Sequence, residues 1–216
     1  MPPPTRAPRP TPDRGGVRIP FVGLTGGIGA GKSTALAALE RLGAATLSTD
    51  AVVHDLYETE PVRARVIERF GPDVVAPGSD PPAVDRAALA ARAFATDEDR
   101  EWLERLLWPR VGEAVADWRA RAERAAPPPR ALVVETPLLF EAGLEGGYDA
   151  TIAVLADERI RAARAQARGH RALAERTARQ LSQREKAQRA TFAVVNDGTE
   201  GELEATLSAV LDRLCE

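Results

Sequence analysis

Gly26-Gly27-Ile28-Gly29-Ala30-Gly31-Lys32-Ser33 is the stretch on which the fold turns. It fills every fixed position of the pattern G-x-x-x-x-G-K-[ST]. Before it lies Phe21 to Leu24, a short apolar run that predicts a buried strand, with Pro20 at the strand's first position. After it, Leu36, Leu39 and Leu42 recur at helical spacing, and Gly43 supplies a stop. Glycines let such a loop wrap so that successive backbone N–H groups turn inward on phosphate oxygens. The helix N-terminus adds partial positive charge. Gly27, Ile28, Gly29, Ala30 and Gly31 then form the cradle. Lys32 reaches the β- and γ-phosphates, the Ser33 hydroxyl is the candidate Mg²⁺ ligand, and Thr34 adds an α-phosphate contact. A chance glycine-rich turn would lack this strand and this helix. The motif specifies nucleoside-triphosphate binding and leaves the reaction open.

Composition supports a special place for Lys32. The chain holds 29 basic residues, of which only Lys32 and Lys186 are lysine. Keeping lysine at position 32 in an arginine-dominated chain points to a compact ammonium that a planar guanidinium does not replace. The 216 residues suit one domain with helical insertions, and 44% hydrophobic with 28% charged residues suffices for a real core. The net charge of −3 argues against general nucleic-acid binding. No apolar run approaches the roughly 18 residues of a membrane span. The single cysteine, Cys215, excludes an internal disulfide and, without a Cys/His metal pattern, points to a reducing, cytoplasmic setting. Residues 1–16 are rich in proline and arginine, lack a secretory h-region, and read as a flexible tail.

Further strands are expected at Ala45 to Leu47, Ala131 to Val134, Thr151 to Leu155 and Phe192 to Val195. The second strand should end beside the first. Helical patterns fill Ala51 to Ala122, with breaks at Pro61, Gly71-Pro72 and Pro77 to Pro82. They return from Glu158 to about Arg189, with a break near Gly169, and in a closing helix from Gly201 to Leu214. Strands alternating with helices indicate an α/β fold with a parallel sheet, whose strand C-terminal ends bind the ligand.

Regulatory GTPases carry an N-K-x-D segment and transporter ATPases an L-S-G-G-Q signature; neither occurs here. Those absences favour a kinase acting on a small acceptor. A kinase needs a base near the acceptor hydroxyl. Asp50, 18 residues beyond Lys32, suits that role, and equally suits a helix N-cap. Phosphoryl transfer also needs excluded water and neutralised charge. Arg159 to Arg189 holds nine arginines and one lysine against two acids. Arg164 and Arg168, four apart, share a helix face, and Arg161 joins it three before Arg164.

With these residues in view, the chain resembles the dephospho-CoA kinases from about Val17 to its end. Leu24-Thr25-Gly26 through Thr34 is similar to that family's opening. Thr49-Asp50-Ala51-Val52-Val53-His54 resembles its D-A-D-x-[IV]-A-R stretch. Arg86-Ala87-Ala88-Leu89, Phe94 and Leu106-Leu107-Trp108-Pro109 resemble its R-x-x-L…F…L-L-H-P region. Pro137-Leu138-Leu139-Phe140-Glu141 is similar to its P-L-L-F-E segment, the most distinctive of the set. Arg164, Arg168, Gln180 and Asn196-Asp197-Gly198 match its R-x-x-x-R, Q and N-x-G positions. Departures fall at Ser48, His54, Trp108 and Ala190-Thr191. A lone His54 reads as a surface residue and Trp108 as packing.

The resemblance implies an ATP- and Mg²⁺-dependent phosphorylation of the ribose 3′-hydroxyl of dephospho-CoA. It implies a P-loop fold with a five-stranded parallel core at 17–49, 131–158 and 189–216, a helical CoA-binding part at 50–130, and a helical lid at 159–188. It makes Asp50 the base, with Lys32 and Arg164 as catalytic partners and Arg164 and Arg168 on the nucleotide phosphates. Asp50 and the Pro137–Glu141 segment then meet the acceptor.

Overall fold

The computed structural model describes residues 18–167 and 180–216. The expected tail at 1–16 and the break near Gly169 lie outside the described residues. The chain forms two compact units. One runs to Leu47 and resumes at Arg119; the other spans Ser48–Trp118.

The first unit is built on five strands: β1 (Phe21–Gly26), β2 (Ala45–Ser48), β3 (Leu132–Glu135), β4 (Ala150–Leu155) and β5 (Phe192–Val195). They form a parallel sheet in the order β2-β3-β1-β4-β5. Every residue of β1 and β3 is buried, as their largely apolar runs require in the middle of a two-sided layer. Gly23 pairs with Val134 on one side and Thr151 on the other. Pro20 precedes β1, and its carbonyl accepts from Leu132 N–H at 2.8 Å. The second strand does not lie beside the first: β3 comes between them. The chain leaves β1, skips a place to β2, returns to β3 in the gap, and crosses β1 to reach β4. This reversal puts the topological switch point at the carboxyl end of β1, where α/β sheets bind ligands.

Helix α1 (Lys32–Arg41) packs against the closing helix of the chain, Glu200–Cys215. Ala35, Ala38 and Leu39 from the first meet Leu203, Leu207 and Leu211 from the second over Val22, Leu24, Ile152 and Val194. A fully buried leucine contributes about 1.5–3 kcal/mol, so this cluster supplies much of the unit's stability.

The second unit is helical: α2 (Thr49–Glu58), α3 (Glu60–Phe70), α4 (Arg86–Ala93) and most of α5 (Asp97–Ala122). The break expected at Pro61 falls at extended Thr59, between α2 and α3, and Pro61 itself stands in the first turn of α3, where its missing N–H costs nothing. Asp85 caps α4, accepting from Ala87 N–H at 2.9 Å and Ala88 N–H at 3.1 Å. On α5, Leu103, Leu106 and Leu107 face Val62, Val66, Val74 and Leu89 in a core of their own. Pro109 lies inside α5 and leaves the Arg105 carbonyl without its helical donor.

In the first unit the described residues also form two shorter helices, α6 (Glu158–Ala167) and α7 (Gln183–Arg189). The closing helix is α8. Ser182 and Glu185 form a capping box at α7, and Thr199 and Glu202 form another at α8. No described helix is long and apolar enough to cross a membrane.

Candidate active site

β1 ends at Gly26, and α1 begins at Lys32, so the loop between them occupies the switch point. Within it, Ala30 N–H donates to the Gly27 carbonyl at 3.1 Å, closing a turn. Gly31 caps α1 at φ 92°, and Ala35 N–H makes the first helical bond to its carbonyl at 2.9 Å. The amides ahead of that bond project from the helix end, the arrangement that receives anions. Gly31 can be nothing else: its φ is left-handed, and a Cβ would fall 2.0 Å from Asn196 Nδ2. Gly29, at φ 77°, would drive a Cβ to 2.4 Å from the Arg161 carbonyl oxygen.

Three side chains brace the loop from outside. Asn196, at the end of β5, donates Nδ2–H to the Ala30 carbonyl at 2.8 Å. Arg161 on α6 donates Nε–H to the Ile28 carbonyl at 2.9 Å, and Arg164 donates Nη1–H to the Asn196 carbonyl at 3.0 Å. Of the arginine face expected of this helix, Arg161 therefore bonds the loop and Arg164 bonds its brace, Asn196. Arg168 lies outside the described residues.

Lys32 is largely covered, and its Nζ stands 3.9 Å from Glu135 Oε1 at the end of β3. Glu135 is 7% exposed. Order in the sheet explains the meeting, because β3 is the direct neighbour of β1. Ser33 is exposed at the mouth, and Thr34 is half-buried behind it. Among the described residues, no cluster of three His, Cys, Asp or Glu side chains is placed to hold a metal alone.

After Glu135 the chain turns into Pro137-Leu138-Leu139-Phe140-Glu141. Leu138 is 40% exposed, while Leu139 and Phe140 are buried. The Pro137 carbonyl accepts from Thr25 Oγ1 at 3.2 Å and from Lys186 Nζ at 3.1 Å. Glu141 Oε1 lies 2.8 Å from Lys186 Nζ and accepts Leu181 N–H at 2.8 Å. Gln183, the first residue of α7, bonds both backbone groups of Ala156, donating to the carbonyl at 2.7 Å and accepting from the N–H at 2.9 Å. Reading the sequence singled out neither Lys186 nor Gln183 for a role here; in a polar, arginine-rich stretch both resemble a solvated face. The scarcity of lysine was the one available signal.

In the helical unit, Asp50 lies in the first turn of α2, exposed. It is not the cap, for Ser48 holds that place. His54 is half-buried, with Nδ1 3.9 Å from Asp55 Oδ1. Trp108 is 48% exposed on α5, so it is not part of the core. A cavity of about 240 Å³ is lined by Arg65, Trp102, Arg105, Leu106 and Arg110.

Burial raises the Tyr57 hydroxyl to about 12, opposed by the charge of Arg86. Hydrogen bonds from the Ser182 side chain and then its backbone lower Glu185, and those from the Thr199 backbone and then its side chain lower Glu202. These shifts lie at helix ends and in the helical core, not at the phosphate loop.

A statistical model of the family described as CoaE, dephospho-CoA kinase, matches residues 20–202. A dephospho-CoA kinase from Moorella thermoacetica is 40% identical over 191 residues, covering 88% of each chain. One from Deinococcus radiodurans is 40% identical over 218 residues, covering 97% of this chain and 98% of its own. Among solved structures, TT1252 from Thermus thermophilus superposes with a TM-score of 0.75 at 33% identity, covering 91% of this chain and 99% of its own. A dephospho-CoA kinase from Campylobacter jejuni shares the fold with a TM-score of 0.57 at 21% identity, covering 90% of this chain and 96% of its own.

Proposed function

The chain belongs to the dephospho-CoA kinase family, and from that membership we propose how its residues move the γ-phosphoryl group of ATP onto the ribose 3′-hydroxyl of dephospho-CoA, giving CoA and ADP. The observation that carries the reading is the loop capped by left-handed Gly31, with Lys32 at the helix start.

In this reading, the amides from Gly27 to Thr34 hold the triphosphate, and the Lys32 ammonium lies along its β- and γ-phosphates. The covered Glu135 keeps that ammonium directed across the loop. The Ser33 hydroxyl and the Glu135 carboxylate are hard oxygen donors, a set that suits Mg²⁺ shared with nucleotide oxygens. Such an ion, when bound, neutralises phosphate charge. Arg164 rests on the loop's outer brace, and Arg161 on the loop itself, where both add positive charge beside the phosphates. Arg168 completes the set as a phosphate contact.

The Asp50 carboxylate takes the proton from the acceptor hydroxyl as that oxygen bonds to the γ-phosphorus and the bridging bond to ADP breaks. What supports this is its exposed position in the first turn of α2, where Ser48 and not Asp50 occupies the N-cap position. Pro137 and Leu138 offer the acceptor a surface, with Leu139, Phe140 and Glu141 holding that surface in shape. The single cysteine fits a reducing compartment, and the cytoplasm is the setting we assign.

The test offers the purified protein ATP and Mg²⁺ with dephospho-CoA, adenosine or uridine, and weighs the products by mass spectrometry. Phosphate should appear on dephospho-CoA. Turnover of a nucleoside but not of dephospho-CoA defeats the assignment.

A further inference from the structure

Lys186 is fully buried, the more costly of the two lysines to desolvate. Among the described residues its ammonium contacts Glu141 Oε1 at 2.8 Å and the Pro137 carbonyl at 3.1 Å. That carbonyl also takes the hydroxyl of Thr25, which stands on β1 just ahead of the phosphate loop. One side chain thus ties three things together: the end of β1, the Pro137–Glu141 segment, and α7. Other bonds keep α7 in place. Gln183 grips Ala156, while Arg189 pairs with Glu145 and lies 5.0 Å from the Phe140 ring centre.

A buried ion pair is a poor source of stability, since apolar side chains of similar volume often do as well. What it supplies is one geometry. An arginine, the chain's usual cation, would bring a larger planar group to a space with no exposure. Among the described residues, Glu141 Oε2 is buried with no hydrogen-bond partner, and the carboxylate is held through its other oxygen. The arrangement spends much to fix the short segment that ends in exposed Leu138.

We propose that Lys186 is a positioning residue for the acceptor: by holding the Pro137 carbonyl and Glu141 it sets the surface on which dephospho-CoA lies, without touching substrate itself. The proposal rests on the reading that Pro137–Glu141 meets the acceptor. It separates the two substrates, because Lys186 contacts none of the residues of the phosphate loop from Gly26 to Thr34 in the described structure. Loss of the ammonium should loosen the acceptor side and spare ATP.

The experiment measures KM for each substrate and kcat in Lys186→Met and in the double variant Lys186→Met/Glu141→Gln. The double variant leaves no buried unpaired charge and keeps an oxygen for Leu181 N–H, so it guards against simple misfolding. The KM for dephospho-CoA should rise about tenfold or more in both, with kcat and the KM for ATP within about threefold of the parent. An acceptor KM unchanged in the double variant overturns the proposal, as does a KM for ATP that rises equally. Leu138→Ala is the control. If it raises the acceptor KM while the Lys186 variants do not, the segment reading stands and the positioning role falls. If none of the three raises it, both fall.

Discussion

Asp50 carries the sharpest consequence of any one side chain. Ser48, not Asp50, occupies the N-cap position, so Asp50→Asn removes no capping group. It should keep ATP affinity and lose roughly 100-fold or more in kcat, measured by steady-state turnover beside nucleotide binding. Turnover near the parent value would reduce Asp50 to a favourable charge at a helix N-terminus. Lys32→Arg tests the other half of the chemistry. The covered space beside Glu135 suits an ammonium, and a guanidinium should cost about 100-fold in kcat. Asn196→Ala removes the donor to the Ala30 carbonyl; about 1–3 kcal/mol of lost support should appear as weaker ATP binding and a lower Tm. The phosphate loop was legible because its chemistry is local: eight consecutive residues contain it. Asn196 and Lys186 act across 166 and 49 residues, on Ala30 and Pro137, and no local pattern encodes such distances.

Among elements, strands were easier to find than to arrange. Short apolar runs bounded by glycine and proline gave all five within a residue or two, because burial on both faces leaves no alternation to misread. Their order was not available, since periodicity says nothing of which neighbour a strand takes. Hence β3, not β2, lies beside β1, and Glu135 comes to Lys32. Residue type alone pointed to packing for Trp108, and α5 turns Leu103, Leu106 and Leu107 inward while leaving Trp108 about half exposed. The capping box of α8 makes an element-scale prediction. Glu202 is lowered below the ordinary glutamate value of 4.5 by its bonds with Thr199. Its stabilisation is present above 4.5 and fades as pH falls through the lower folded value. Thr199→Ala should therefore lower the Tm at neutral pH and have a smaller effect in strong acid, as thermal melts across pH will show.

For the molecule as a whole, two separate cores predict two responses. The sheet unit holds one apolar cluster and the helical unit another. ATP at about 100 times its Kd should stabilise the state that binds it by roughly 2.7 kcal/mol, and hydrogen exchange should place that protection first at the phosphate loop and α1. The helical unit has its own alkaline limit. The Tyr57 hydroxyl is raised from 10.0 to about 12 by burial, so its contribution is complete below 10.0 and is lost as pH climbs to about 12. Tyr57→Phe should flatten that part of the stability profile. One compositional oddity has a practical side. The two lysines are enclosed, Lys186 completely and Lys32 nearly so. A lysine-specific protease thus has two cleavage points in 216 residues, both inside ordered structure. Digestion of the native chain becomes a clock for local opening, and slower cutting after position 32 when nucleotide is added would report occupancy without any label.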